Sequence, residues 1–134
     1  MAEHAQDAHE EFRLPLFVEP EELHWVRRVV RSHVRLWGLD AVLDDALEVV
    51  TELLTNVHRY AGGIALLVLQ YYGDELRITV SDRSRVLPVV KEPDWDAQSG
   101  RGMLLVSALS EWWRAEATAG GKDVCCGLRV RGSA

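Results

Sequence analysis

The apolar positions of this chain change period several times, and each change marks an element. Leu23, Val26, Val30, Val34 and Trp37 recur at spacings of three and four, the stripe of an amphipathic helix. The spacing predicts a helix over residues 19–37. Pro20, Glu21 and Glu22 suit its positive end, and Gly38 ends it. A second stripe of Val42, Ala46, Val49, Val50, Leu53 and Val57 predicts a helix capped by Asp40 and running to about Tyr60, with Gly62 and Gly63 closing it. The period then shortens. Residues 64–72 read as a strongly apolar strand, Gly73 and Asp74 as a turn, and residues 75–82 as the returning strand with Leu76, Ile78 and Val80 on one face. Upstream, Phe12, Leu14, Leu16 and Val18 share one parity and predict a short strand, which Pro15 confines to a sheet edge. Residues 83–101 carry Pro88, Pro93, Gly100 and little periodicity. They read as a long loop, of a length that goes with function or mobility. A short helix over 102–110 follows, then strands over 113–118 and 122–131 around a turn at Gly120 and Gly121.

Strand, two helices, hairpin, loop, helix and two strands make an α+β fold. The expected architecture is a two-layer sandwich, a mostly antiparallel sheet with helices on one face. Residues 1–11 are expected to be a flexible polar tail and residues 12–134 one domain, since 134 residues is one domain by length. The net charge of −6 turns the search away from a nucleic-acid backbone and toward a protein partner or a small ligand in a local site. Cys125 and Cys126 are neighbours that point to opposite faces of a strand, so they read as reduced thiols rather than a disulfide. The longest fully apolar run is residues 64–69, far short of the ~20 residues a membrane helix needs. Residues 1–11 have no apolar core of a secretory signal, so a cytoplasmic location is expected.

Three sets of residues stand out chemically. Glu52 and Asn56 lie four apart on the second helix, with Glu48 one turn earlier. A carboxylate and an amide oxygen held this way suit a hard cation or a proton transfer, or simply a solvated helix flank. Asp82 shares parity with Leu76, Ile78 and Val80, which places a carboxylate on the apolar face of its strand. Such a group needs partners: an adenine amino group, or a turn with Ser81 and Ser84. Gly100, Arg101 and Gly102 precede the short helix. There they form either a backbone cradle for an anion with an arginine donor, or a hinge with a cap.

The segments TELLTN, VSDRS and GRGMLLV, in this order, resemble the N, G1 and G2 boxes of the GHKL (Bergerat-fold) ATP-binding family, which includes gyrase, histidine kinases and MutL. The likeness is greatest to the stand-alone bacterial anti-sigma-factor serine/threonine kinases and spans about residues 12–131. The resemblance implies ATP and Mg2+ as cofactors. It makes Asn56 the magnesium ligand, Glu52 the general base toward a partner's hydroxyl, and Asp82 the acceptor of the adenine amino group. Gly100 and Gly102 would close around the phosphates, and Arg101 would offset charge on the transferred group. It further implies an anti-sigma factor that binds a sigma factor and phosphorylates an anti-sigma-factor antagonist, with a homodimer by family likeness. No nucleic acid and no membrane are expected as direct partners.

The sequence departs from that family at definite places. Its first glycine box usually reads Asp-x-Gly-x-Gly, and here Ser84 and Val86 stand at the glycines. Asp123 follows Lys122 where relatives often have threonine. An acid beside Asp82 would repel it, but Asp123 has the opposite parity to Val124, Cys126 and Leu128 and is expected to face away. Tyr60 stands where relatives often have histidine. His58, Trp112 and Trp113 read as structural, and Trp95 as a lid anchor or partner contact. Arg83 and Arg85 either meet phosphates or keep the loop soluble. These departures keep a second function open, a non-catalytic partner-binding module that retains the ATP-binding fold.

Overall fold

A computed structural model of the chain describes residues 7–90 and 101–130. Its elements are β1 (Glu10–Phe17), α1 (Leu23–Leu36), α2 (Leu43–Tyr60), β2 (Ile64–Tyr71), β3 (Glu75–Asp82), α3 (Arg101–Leu109), β4 (Trp112–Ala117) and β5 (Lys122–Arg129). The five strands form one antiparallel sheet in the order β1-β2-β3-β5-β4. The expected α+β sandwich is thus the observed fold, and Pro15 sits on an edge strand as its missing N–H requires. β1 begins at Glu10, two residues before the expected strand, where Glu10 pairs with Tyr71 and Glu11 with Gln70.

The helices pack on one face of the sheet. Val26, Val30 and Val34 of α1 join the inward side chains Leu67, Leu69, Leu76, Ile78, Val80, Val124, Cys126 and Leu128 in a single core. The buried face of α2 is wider than the predicted stripe, because Leu43, Leu47 and Leu54 are buried as well. The reason is position: α2 lies between α1 and α3 and also contacts β2, β3 and β5, so it has neighbours on three sides. Each such aliphatic side chain contributes ~1.5–3 kcal/mol on full burial, which makes α2 the rigid element on which a site can be built.

The helix ends differ in detail from expectation. Asp40 does not cap α2. It opens a single tight turn over Asp40–Val42, and α2 starts at Leu43 without a side-chain cap. Asp44 and Asp45 in the first turn and His58 and Arg59 in the last complement the helix dipole instead. The first helix likewise opens with a separate turn, Pro20–Glu22. Gly38, Gly62 and Gly63 all take positive φ, the left-handed geometry that ends a helix. No helix among the described residues is long and apolar enough to cross a membrane.

Candidate functional site

Glu52 and Asn56 occupy successive turns of α2 on the flank that meets α3. A Cβ added at Gly102 would lie 2.9 Å from Glu52 Oε2 and 3.6 Å from Asn56 Oδ1. The absence of a side chain at Gly102 is what lets the first turn of α3 approach both polar groups. The structure therefore brings Gly102 to Glu52 and Asn56, which lie 50 and 46 residues before it in sequence. Gly100 lies outside the described residues, as does the side chain of Arg101, whose backbone begins α3. Trp95 lies outside them too.

Partial burial raises the pKa of Glu52, the Glu48 carboxylate one turn away raises it further, and Arg59 acts in the opposite direction. Glu48 itself stands 3.9 Å from Arg27 of α1. A carboxylate with increased proton affinity is closer to the range in which general bases work near neutral pH. Beside Asn56 opens a cavity of about 410 Å³, lined by Asn56, Tyr60, Met103, Lys122 and the run Val86, Leu87, Pro88 and Val89. That volume falls within the range of small-molecule sites. Val86 stands 78% exposed at its rim, where the family pattern has glycine.

Asp82 lies at the inner end of β3, as its parity required, and its side chain is only 4% exposed. Its partners are within the protein. Oδ1 accepts the Ser84 backbone N–H at 2.8 Å, and the Lys122 ammonium stands 3.0 Å from Oδ1 and 2.9 Å from Oδ2. Asp82 does not line the large cavity. It lines an adjoining recess of about 20 Å³ that shares Asn56, Pro88, Met103 and Lys122 with it.

Lys122 is the site residue that sequence reasoning missed. The signal was present: it shares parity with Val124, Cys126 and Leu128, and antiparallel pairing sets it opposite Asp82. Gly121 permits this placement, because a Cβ there would overlap the Asp82 carbonyl oxygen. Asp123 faces the other side of the sheet, as its parity indicated, where it accepts the Ser81 hydroxyl at 2.6 Å.

The remaining candidates have structural surroundings. His58 Nδ1 lies 3.2 Å from the Val18 carbonyl, Trp113 packs against the core, and Trp112 bonds Glu75 through its indole nitrogen. Arg83 and Arg85 are exposed. Both cysteines are free and buried, and burial pushes the Cys126 thiol up to about 12. Among the described residues no group of three or more His, Cys, Asp or Glu side chains is placed to hold a metal ion. Mg2+ bound with a nucleotide needs only one or two protein ligands, the rest being phosphates and water, and the Asn56 amide on the cavity wall fits that requirement.

The family described as histidine kinase-like ATPase domain matches residues 17–127, and the chain belongs to it. No curated protein matches the sequence significantly. Among solved structures, the RsbU and RsbW domains of Rv1364c from Mycobacterium tuberculosis superpose with a TM-score of 0.67 at 20% identity, over 90% of this chain and 32% of that one. This chain thus spans about a third of that neighbour. The SiaB-SiaC complex from Pseudomonas aeruginosa gives a TM-score of 0.66 at 11% identity, over 96% of this chain and 93% of that one. At these identities the likeness establishes the shared fold.

Proposed function

We propose that this member of the histidine kinase-like ATPase family is a nucleotide-binding regulatory protein of the anti-sigma-factor kinase type. It holds a sigma factor and transfers a phosphoryl group from ATP to a serine or threonine of an anti-sigma-factor antagonist. The observation that carries the reading is the convergence of Glu52 and Asn56 on the N-terminal turn of α3 at Gly102, beside a cavity of about 410 Å³. Both solved neighbours carry the fold next to a second domain or protein, as RsbU with RsbW and as SiaB with SiaC. A homodimer and a cytoplasmic location belong to the same proposal.

In this reading Asn56 would hold Mg2+, which would supply positive charge beside the phosphates. Glu52 takes the proton of the partner's hydroxyl while that oxygen bonds the γ-phosphorus and the bond to the β-phosphate oxygen breaks, leaving ADP. The raised proton affinity of Glu52 suits this role. Backbone N–H groups at the start of α3, beside Glu52 and Asn56, would meet the phosphate charge.

A second reading is favoured by one observation. Asp82, the acceptor an adenine amino group would use, is already paired with Lys122. A partner-binding module without turnover tolerates that pairing, and a kinase has to work around it.

The test combines calorimetry with Mg-ATP and label transfer from γ-labelled ATP to a panel of antagonist proteins. The native chain should bind Mg-ATP and label an antagonist. Glu52→Ala should bind and not label, and Asn56→Ala should bind more weakly. Undiminished labelling by Glu52→Ala removes the base assignment. A partner held equally by native and Asn56→Ala protein, with no label transferred by either, establishes the second reading instead.

A further inference from the structure

Antiparallel pairing of β3 with β5 sets Lys122 directly across from Asp82 on the inner face of the sheet. Both side chains are nearly buried, at 9% and 4% exposure. The ammonium reaches both carboxylate oxygens, at 3.0 and 2.9 Å, and its remaining contact is a long one of 3.5 Å to the Ser84 carbonyl. Oδ1 also receives the Ser84 N–H. The carboxylate therefore has its charge balanced and its near donors supplied from within the chain.

The two members of the pair meet the cavity unequally. Lys122 lines both the cavity of about 410 Å³ and the recess of about 20 Å³, whereas Asp82 lines only the recess. A space of ~20 Å³ holds about one water molecule, far less than a purine. A base entering the cavity thus meets a hydrogen-bond donor first, and the acceptor lies behind it.

We propose that Lys122 is the specificity-determining residue of this site: it disfavours a purine with an amino group at C6 relative to one with a carbonyl there. The 6-amino group is a donor facing a donor, and it gains Asp82 only by displacing the ammonium. A 6-oxo group is an acceptor, and it replaces only the long contact to the Ser84 carbonyl. Discrimination by opposed polarity of this kind is a common means of rejecting a near-isosteric ligand. The inference rests on the reading that the cavity takes a purine nucleotide, and it refines that reading at the base.

ATP and inosine triphosphate differ in this respect at C6, so the ratio of their dissociation constants is the measurement. It is taken by calorimetry with Mg2+ on the native chain, on Lys122→Met, and on the double variant Asp82→Asn/Lys122→Met. The double variant leaves no buried charge unpaired, and replacing both members of an ion pair is often neutral for folding. Its amide also offers the acceptor and donor that an adenine edge requires. The native chain should bind inosine triphosphate at least as tightly as ATP, and the double variant should shift the ratio toward ATP by about tenfold, as one well-paired base edge discriminates. A ratio unchanged among the three proteins overturns the role of Lys122 while leaving nucleotide binding in place. Failure of both nucleotides to bind any of the three, each melting cooperatively, removes the nucleotide reading and this inference with it. Asn56→Ala separates the two ends of the ligand: it should weaken both nucleotides alike and leave the ratio where the native chain has it.

Discussion

Breaking the Asp82–Lys122 pair from one side should destabilise the chain far more than removing both charges. The two side chains are 4% and 9% exposed, so an orphaned charge has little water to turn to. Removing one member of a buried pair typically costs ~3–5 kcal/mol. For a domain of this length that corresponds to a fall in Tm of roughly 10–20 °C. Asp82→Asn should cost less than Lys122→Met, because Lys122 lines the cavity and its long stem can turn the ammonium toward solvent. The double variant Asp82→Asn/Lys122→Met should lie within ~1 kcal/mol of the native chain. Urea denaturation of all four proteins at pH 7 gives the cycle. A coupling below ~0.5 kcal/mol, the level of independent sites, would show that the pair does not form in solution and would refute this reasoning.

Three further outcomes follow from the site. Glu52→Gln should flatten the pH dependence of stability above the ordinary carboxylate range, because Glu52 has a raised pKa in the folded chain and its charge is a cost that appears as pH rises through that value; chemical denaturation across pH 4–7 checks this, and label transfer should be lost in the same variant. Gly121→Ala should cost ~1–3 kcal/mol or prevent folding, since its Cβ would overlap backbone at Asp82, whereas Gly102→Ala should change Tm little, because it meets the mobile end of Glu52, yet weaken Mg-ATP; melting curves and calorimetry separate the two. Cys126, buried and with its thiol pushed up to about 12, should resist alkylation until urea unfolds the chain, as read by mass spectrometry.

Much of this structure was legible in the chain because the signals were periodic. The β2–β3 hairpin, the edge position of the strand holding Pro15 and the core stripe of α2 follow from parity, helical spacing, the Gly73–Asp74 turn and the missing N–H of proline. Helix starts were less legible. Asp40 has the chemistry of a cap, but an acid that opens a separate tight turn offers the same sequence signal, and the backbone took the turn. The width of the buried face of α2 depended on how many elements would surround it, which no local pattern encodes. The site was half legible: Glu52, Asn56 and Asp82 lie on periodic elements, while the cavity wall at Val86, Leu87, Pro88 and Val89 belongs to an aperiodic segment whose path is set by what it packs against.

The partner of Asp82 shows why strand register, more than residue identity, decides the chemistry here. Lys122 and Asp123 are adjacent, and either could have faced Asp82. The observed register puts Lys122 opposite Asp82 on the inner face and Asp123 opposite Ser81 on the outer one. A slip of one residue would reverse the faces of β5. It would expose Val124, Cys126 and Leu128 and set the Asp123 carboxylate against that of Asp82 in a nearly dry recess. Apolar burial and charge thus select the same register, and Gly121 allows it by leaving room for the Asp82 carbonyl. The feature that holds β5 in place is therefore the feature that puts an ammonium at the floor of the cavity. In this chain, a change that alters base preference must also act on the ladder that closes the sheet.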